Sequence, residues 1–160
     1  MIDENFSHCG AGYIGRVATS ILLKRGFDVT VLDDCSTGHR ESVSESVRFI
    51  EGSILNHDDI AQGLIDCQAV LHFAGLSIVA DSMKYPDRYW QVNVDGAKNL
   101  LDGMRRVKVE KLVFSSSAAV YGEVKSIPIA ESAATHPTNP YGATKLAIEK
   151  LIEAEIKIQS

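Results

Sequence analysis

The 160-residue chain lacks the features that mark several large classes of proteins. Its apolar runs, such as residues 69–74, fall far short of the ~20 residues that a helix needs to span a bilayer. Residues 1–5 have neither the basic start nor the apolar stretch of a signal peptide. The formal net charge of -5 gives no general attraction for nucleic acid or for an anionic membrane. Neither partner is therefore expected.

Cysteine is also sparse and histidine is scattered. The three cysteines, Cys9, Cys35 and Cys67, are odd in number and far apart, which favours thiols in a reducing cytoplasm. The five histidines show no pairing at metal-ligand spacing, so no metal site is predicted. The chain contains 45% hydrophobic and 23% charged residues and has the length of one domain. This composition is typical of a globular protein.

Apolar, β-branched runs alternate with longer amphipathic stretches. The runs at 29–32, 48–50, 69–73 and 111–114 predict strands, and the stretches at 13–25, 58–65, 89–107 and 141–158 predict helices. The first helix carries Ile14, Val17, Ile21 and Leu22 on one face. Alternation without hairpin signals predicts an α/β fold with a Rossmann-like, doubly wound parallel sheet. Ligands of such sheets bind at the carboxyl ends of the strands.

A glycine-rich turn opens the first predicted helix, with Gly10, Gly12 and Gly15 in a GxGxxG pattern. Glycines there allow a sharp turn and a close approach to a pyrophosphate, which the helix N-terminus favours. Asp33 ends the next strand, 21 positions after Gly12, and an acid there binds ribose hydroxyls and repels a 2′-phosphate. Asp34 strengthens this preference for NAD over NADP. The alternative is that Asp33 and Asp34 merely begin a polar loop.

A serine cluster, 115–117, follows the strand at 111–114, and Tyr141 and Lys145 lie four positions apart on a predicted helix. Residues at that spacing share a helix face, and a nearby ammonium stabilises the phenolate of a tyrosine base. Ser117 can hydrogen-bond both the tyrosine oxygen and a substrate hydroxyl, which gives a proton-transfer unit. The alternative is that Tyr141 and Lys145 only occupy a solvated helix face.

Together these residues resemble the extended short-chain dehydrogenase/reductase family, and within it the sugar-nucleotide epimerases. The segments that carry the resemblance are 10–15, 32–34, 36–40, 72–75, 93–94, 114–122 and 140–145. The resemblance covers nearly the whole chain from Gly10 onward. It implies that Tyr141 is the general base, that Ser117 is its partner, and that Lys145 anchors the nicotinamide ribose.

The resemblance also implies a set of residues that hold NAD. Besides the glycine turn and the catalytic residues Tyr141 and Lys145, they are Tyr13, Ile14, Asp33, Asp34, Ser36, Thr37, Gly38, Ser53, Ile54, Phe73, Ala74, Gly75, Leu76, Ser77, Asn93 and Ser115. The implied reaction is NAD-dependent epimerisation at C4 of a UDP-hexose through a transient 4-keto sugar. Two other interpretations remain open: a non-catalytic, truncated dinucleotide-binding fragment, and another nucleotide-sugar epimerase or dehydratase of the same family.

The sequence departs from the family pattern in several places. Polar residues 3–5 and Ser7 occupy the first strand, Cys9 replaces a glycine, Ser53 replaces an acid near adenine, and Ser77 replaces a lysine. Relatives continue beyond the Tyr-Lys helix with further strands and a substrate domain. We therefore expect residues 1–160 to form a partial NAD-binding Rossmann domain without the substrate domain. A homodimer through the helices at 89–107 and 141–158 is expected by analogy.

Overall fold

Five parallel strands form the sheet of the computed structural model, which describes residues 5–9, 11–124 and 126–159, with side chains for 11–124 and 126–157. The strands are β1 (Asn5–Cys9), β2 (Asp28–Asp33), β3 (Arg48–Glu51), β4 (Ala69–His72) and β5 (Lys111–Phe114). Their order is β3-β2-β1-β4-β5, and every neighbouring pair is parallel. The predicted parallel α/β fold is confirmed.

The polar first strand occupies the centre of this sheet. Phe6 pairs with Val29 of β2 on one side and with Ala69 of β4 on the other. From β1 the chain moves outward through β2 to β3 and then returns to β4 on the opposite side. The order of the strands therefore reverses between β1 and β4, where a doubly wound sheet opens its ligand crevice.

Six helices accompany the strands within the described residues. They are α1 (Tyr13–Lys24), α2 (His57–Gly63), α3 (Val79–Lys84), α4 (Pro86–Tyr89), α5 (Gly96–Val107) and α6 (Pro140–Gln159). Short 3-10 turns cover Arg40–Ser42 and Ala118–Tyr121, and a π-helical turn covers Trp90–Asp95. The helix predicted over 89–107 is thus helical throughout, but a π-turn, with its wider i→i+5 hydrogen bonding, separates α4 from α5. The sequence reading missed α3.

The chain divides into two compact units, each described here by itself. The sheet unit comprises Met1–Ala74 and Asn99–Ser115, and the helical unit comprises Gly75–Lys98 and Ser116–Ser160. That residues 1–160 form one NAD-binding domain stays a prediction.

The sheet unit has an apolar cluster on each face of its sheet. Leu32 and Val70 join Ile60 of α2 with Leu100 and Met104 of α5 in one cluster. The other cluster contains Val29, Val31, Val43 and Val47, with Leu22 and Leu23 of α1 packed against it. Because successive side chains of a strand point to opposite faces, α1 covers one face of β2 and the α2 and α5 helices cover the other.

Most of the apolar face predicted on α1 is not buried, and of its four residues only Leu22 packs against the strands. Ile14, Val17 and Ile21 are 57%, 42% and 47% exposed, whereas Gly15 and Thr19 are buried. Small side chains on the inner face let the helix approach the strands closely. α1 ends at Lys24, before Gly26 with its φ of 84°. In the described part of the chain, no helix is long and apolar enough to cross a membrane.

In the helical unit, the long helix α6 packs against the π-turn, α3, α4 and the 3-10 turn at Ala118–Tyr121. Ile148 of α6, Val120 of the 3-10 turn and Val94 of the π-turn are nearly inaccessible to solvent. α6 begins at Pro140, and Asn139 caps it by accepting a hydrogen bond from the Gly142 N–H at 2.8 Å. This capping places Tyr141 in the first turn of the helix.

Candidate functional site

In the sheet unit, the predicted cofactor residues follow the carboxyl ends of five neighbouring strands. Gly12 follows β1, Asp33 ends β2, Ser53 follows β3, Phe73 follows β4 and Ser115 follows β5. In parallel strands these ends lie along the same edge of the sheet, so the topology brings the five positions to one edge. Gly10 lies outside the described residues.

Gly12 is the residue before the first turn of α1, and its surroundings are open. An added Cβ at this position would have no protein atom within 4 Å, and its φ of -68° suits any residue. Neither the local packing nor the backbone conformation therefore requires a glycine here. No acidic side chain lies in the first turn of α1, so its backbone N–H groups are available to an anion. The side chains of Tyr13 and Ile14 are exposed.

Asp33 ties the glycine turn to the end of β2. Its Oδ2 accepts a hydrogen bond from the Ala11 N–H at 2.5 Å, and its Oδ1 accepts one from the Cys35 N–H at 2.8 Å. A carboxylate oxygen can accept two hydrogen bonds, so each oxygen retains capacity for a hydroxyl donor. An added Cβ on Gly38 would lie 2.9 Å from Asp33 Oδ1, so only glycine leaves this side of the carboxylate open.

Beyond Asp33, the loop is organised by local hydrogen bonds. Asp34 is exposed, and its Oδ1 accepts a hydrogen bond from the Ser36 N–H at 3.0 Å. Cys35 has a φ of 55°, and burial, followed by the neighbouring carboxylates of Asp33, Glu51 and Asp34, raises the pKa of its thiol. The thiol is therefore kept protonated and is a poor nucleophile.

An acid that the sequence reading missed lies beside Ser53. Asp59 of α2 accepts a hydrogen bond through Oδ2 from the Ser53 N–H at 2.8 Å, and Ser53 Oγ accepts one from the Leu55 N–H at 3.2 Å. Ile54 is buried in the apolar cluster formed with α2 and α5. The sequence could have indicated Asp59, because Asn56 caps α2 and Asp59 lies three positions later in the first turn, where an acid completes a capping pattern.

In the helical unit, Asn93 connects the 75–76 segment to α6. Its Oδ1 accepts a hydrogen bond from the Leu76 N–H at 2.8 Å, and its Nδ2 donates to Leu76 O at 3.0 Å and to Thr144 Oγ1 at 3.1 Å. The side chain is only 2% exposed. Both amide hydrogens are used within the protein, so direct contact between Asn93 and a cofactor stays a prediction. Gly75 and Ser77 are exposed, and Leu76 is half-buried.

Tyr141 and Lys145 lie one turn apart on α6, as the sequence predicts. Lys145 Nζ is 5.9 Å from the centroid of the Tyr141 ring, within the range of a cation–π contact. Lys145 is only 6% exposed, and this burial lowers the pKa of its ammonium from 10.5 to about 8. Tyr141 is half-buried. At neutral pH the pair therefore presents a positive charge beside a phenol.

Ser117 precedes the 3-10 turn and caps it. Its Oγ accepts a hydrogen bond from the Ala119 N–H at 3.2 Å, which leaves the hydroxyl proton for another acceptor. The turn lies close against α6, because an added Cβ on Gly142 would be 2.5 Å from Ala119 O. The structure thus gathers Ser117, Tyr141 and Lys145 in one unit. The sequence analysis assigned no role to Ser116, Thr144 or Glu149, whose side chains form hydrogen bonds within the same unit.

Among the described residues, no group of three histidine, cysteine, aspartate or glutamate side chains could hold a metal ion. The chemistry available at the two sites is instead anion and hydroxyl binding at the sheet edge, and proton transfer at Tyr141. An ammonium beside a tyrosine, in the unit that also holds the Ser117 hydroxyl, suits the removal of a proton from an alcohol.

The chain is similar to known proteins over most of its length. The Corynebacterium glutamicum protein named UDP-glucose 4-epimerase is 47% identical over 146 residues, which are 89% of this chain and 44% of that protein. The protein of the same name from Streptomyces lividans is 46% identical over 149 residues, or 91% of this chain and 45% of that protein. A crystal structure of UDP-glucose 4-epimerase from Brucella ovis in complex with NAD is 36% identical, with a TM-score of 0.91. The match covers 94% of this chain and 47% of the chain in that structure.

The chain therefore spans about half the length of the relatives that it matches. The resemblance inferred from the sequence motifs is confirmed. Residues 10–157 match the NAD dependent epimerase/dehydratase family, and the chain belongs to that family.

Proposed function

We propose that this chain supplies the NAD-binding surface and the proton-transfer group of a UDP-glucose 4-epimerase, which inverts C4 of a UDP-hexose. The observation that carries this proposal is the buried Lys145 ammonium, 5.9 Å from the Tyr141 ring centroid in the unit that also holds Ser117. A solvated helix face, the alternative for this pair, would leave the lysine exposed. Burying a lysine costs free energy, and such costs are typical of functional sites.

The sheet unit fits the two polar ends of an adenosine diphosphate. The space beside Gly12 would be filled by a Cβ, and it adjoins the N-terminus of the 12-residue helix α1, which favours a pyrophosphate. Asp33 has capacity to accept hydrogen bonds from ribose hydroxyls, and its charge disfavours a 2′-phosphate. These residues would hold NAD, and Lys145 would donate to its nicotinamide ribose.

When bound, NAD supplies a hydride acceptor for C4 of the sugar and returns the hydride later. Tyr141 removes the proton of the 4-hydroxyl group, and Ser117 donates its hydroxyl proton to the developing charge. Lys145 stabilises the tyrosinate, since its ammonium is predominantly charged at neutral pH with a pKa of about 8. The 4-keto sugar turns within the site, so C4 regains the hydride on its other face, and this inverts C4. Tyr141 returns its proton to the 4-oxygen, which regenerates the starting protonation state.

Calorimetric titration of the chain with NAD⁺, with NADP⁺ as the control, tests the cofactor half of the proposal. We expect saturable binding of NAD⁺ and at least ~10-fold weaker binding of NADP⁺, because Asp33 meets the 2′-phosphate as a like charge. Equal affinities, or no binding to the folded chain, would contradict the role of Asp33 and Gly12.

Turnover is tested with UDP-galactose, using this chain together with the remaining half of the Streptomyces lividans relative as a separate polypeptide. Formation of UDP-glucose without loss of water supports the epimerase. A dehydrated product would support the dehydratase alternative, which the lack of an acid at Ala118 and Ala119 disfavours. NAD⁺ binding without any turnover would support a non-catalytic fragment.

Two further expectations belong to this proposal. The helices over 89–107 and 141–158 are the proposed contacts of a homodimer, and Ile156 of α6 is 60% exposed. Sedimentation of the chain and of an Ile156→Glu variant tests it, since a dimer through this face should dissociate in the variant. The thiols of Cys35 and Cys67 support the proposed cytoplasmic location.

A further inference from the structure

The second serine of the cluster, Ser116, contacts a residue outside the predicted site. Its Oγ donates a hydrogen bond to Oε1 of Glu149 on α6, and both side chains are half-buried. Ser117 has extended backbone, with φ of -154° and ψ of 146°. Neighbouring side chains in extended backbone project to opposite sides. The hydrogen bond from Ser116 to Glu149 therefore restrains the backbone of Ser117 on the side opposite to its hydroxyl group.

A second contact attaches the same segment to α6. The Ala119 carbonyl lies against Gly142, where an added Cβ would come within 2.5 Å of its oxygen. Gly142 and Glu149 are seven positions apart, about two helical turns, and Lys145 lies between them at i+3 from Gly142. Positions at i, i+3 and i+7 share one side of a helix. The segment 116–121 is therefore attached to α6 at two points that bracket Lys145.

Ser117 moves with this segment. Its Oγ is oriented by the Ala119 N–H, and the Val120 N–H donates to the Ser117 carbonyl at 3.1 Å. Tyr141 is fixed separately, in the capped first turn of α6. The distance between the serine hydroxyl and the phenol thus depends on how firmly 116–121 is attached to the helix.

We propose that Glu149 is a positioning residue, which fixes Ser117 relative to Tyr141 by accepting the hydrogen bond from Ser116. This inference rests on the proposed function, in which Ser117 and Tyr141 act together on the sugar 4-hydroxyl. Loss of the bond lowers the rate of the chemical step and leaves cofactor affinity unchanged. The predicted contacts to the pyrophosphate and the adenosine ribose belong to the sheet unit, and Lys145, the predicted contact to the nicotinamide ribose, lies on α6 and not on the segment 116–121.

Amide hydrogen exchange of the full chain tests the attachment without any need for turnover. In Ser116→Ala and Glu149→Ala, the amides of Ala119, Val120 and Gly122 should exchange about tenfold faster. The amides of β2 should keep their rates. The matched control is Glu153→Ala, which removes an exposed acid one turn later that is paired with Lys150. Faster exchange spread equally over α6 would show a general stabilising bridge and overturn the proposal.

Turnover of UDP-galactose by the two-polypeptide assembly then tests the effect on chemistry. We expect Ser116→Ala and Glu149→Ala to lower kcat about tenfold with KM and the NAD⁺ Kd within about twofold. The double variant should be no slower than either single variant. Glu149→Gln keeps a carbonyl acceptor and should retain most of the rate, whereas Glu153→Ala should retain all of it.

Three results would overturn the proposal: losses that multiply in the double variant, no rescue by Glu149→Gln, or parallel losses of NAD⁺ affinity and kcat. An unsubstituted assembly that binds NAD⁺ without turnover would instead refute the proposed function. In that case the exchange rates at 119–122 still decide whether Glu149 fixes the segment.

Discussion

Replacement of Lys145 by methionine should remove a contribution to stability that increases with pH above pH 8. Burial lowers the pKa of Lys145 from 10.5 to about 8, while in the unfolded chain the lysine returns to its ordinary pKa. Between these two values the unfolded state binds more protons than the folded state. The free energy of unfolding therefore rises as the pH increases through this window, and it is insensitive to Lys145 below about pH 8.

The size of the effect follows from the same pair of values. At ~1.4 kcal/mol per pH unit, the difference between 10.5 and about 8 corresponds to about 3 kcal/mol across the window. Little discount for solvent screening is needed, because Lys145 is 6% exposed. The same pKa leaves roughly nine-tenths of the ammonium charged at pH 7, which the proposed role beside Tyr141 requires.

Urea unfolding at several pH values from 7 to 10.5, followed by fluorescence of Trp90, measures this difference. Trp90 is the single tryptophan and lies in the helical unit with Lys145. Subtracting the Lys145→Met data removes the titration of other groups, and Lys150→Met, at an exposed lysine of the same helix, is the matched control. Equal pH dependence in the wild type and in Lys145→Met would refute the reasoning, as would a difference between the two that falls above pH 8.

Three further predictions concern single atoms. Gly12→Ala should unfold at the same urea concentration as the wild type, because its Cβ meets no protein atom, yet bind NAD⁺ at least ~10-fold more weakly in calorimetry. An unchanged affinity would exclude a close pyrophosphate. Gly142→Ala should destabilise the helical unit by about 1–3 kcal/mol in urea unfolding, because its Cβ would meet Ala119 O at 2.5 Å; a neutral effect would contradict this close packing. Tyr141→Phe should abolish turnover in the two-polypeptide assay and leave NAD⁺ affinity nearly intact, and an equal loss of both would refute its role as the base.

Much of the fold followed from local pattern. The β-branched runs predicted β2 to β5 to within a residue or two at each end, because β-branched and aromatic side chains favour the extended backbone of a strand. The long segment at 89–107 was predicted less well. Its apolar periodicity resembles that of one helix, and the π-turn at Trp90–Asp95 shifts the register by contacts that a period cannot show.

The first helix shows a second limit of pattern. Its most apolar side, with Ile14, Val17 and Ile21, is exposed in the sheet unit, and the buried side carries Gly15 and Thr19. Periodicity identifies a face but not the element it contacts. How closely α1 approaches the strands depends on the size of the side chains between them. Close packing therefore favours small residues such as Gly15 and Thr19 at the contact.

By itself, the sequence determined the family and the doubly wound parallel fold, and it predicted site roles for Asp33, Ser117, Tyr141 and Lys145. Each depends on local spacing: a turn before a helix, an acid at a strand end, or two residues one helical turn apart. Only the tertiary structure decided which side chains hold these groups in place. Ser116 and Glu149 are 33 positions apart, and Asn93 and Thr144 are 51 apart. Such hydrogen bonds depend on how separate elements pack, so no period or motif within either segment encodes them.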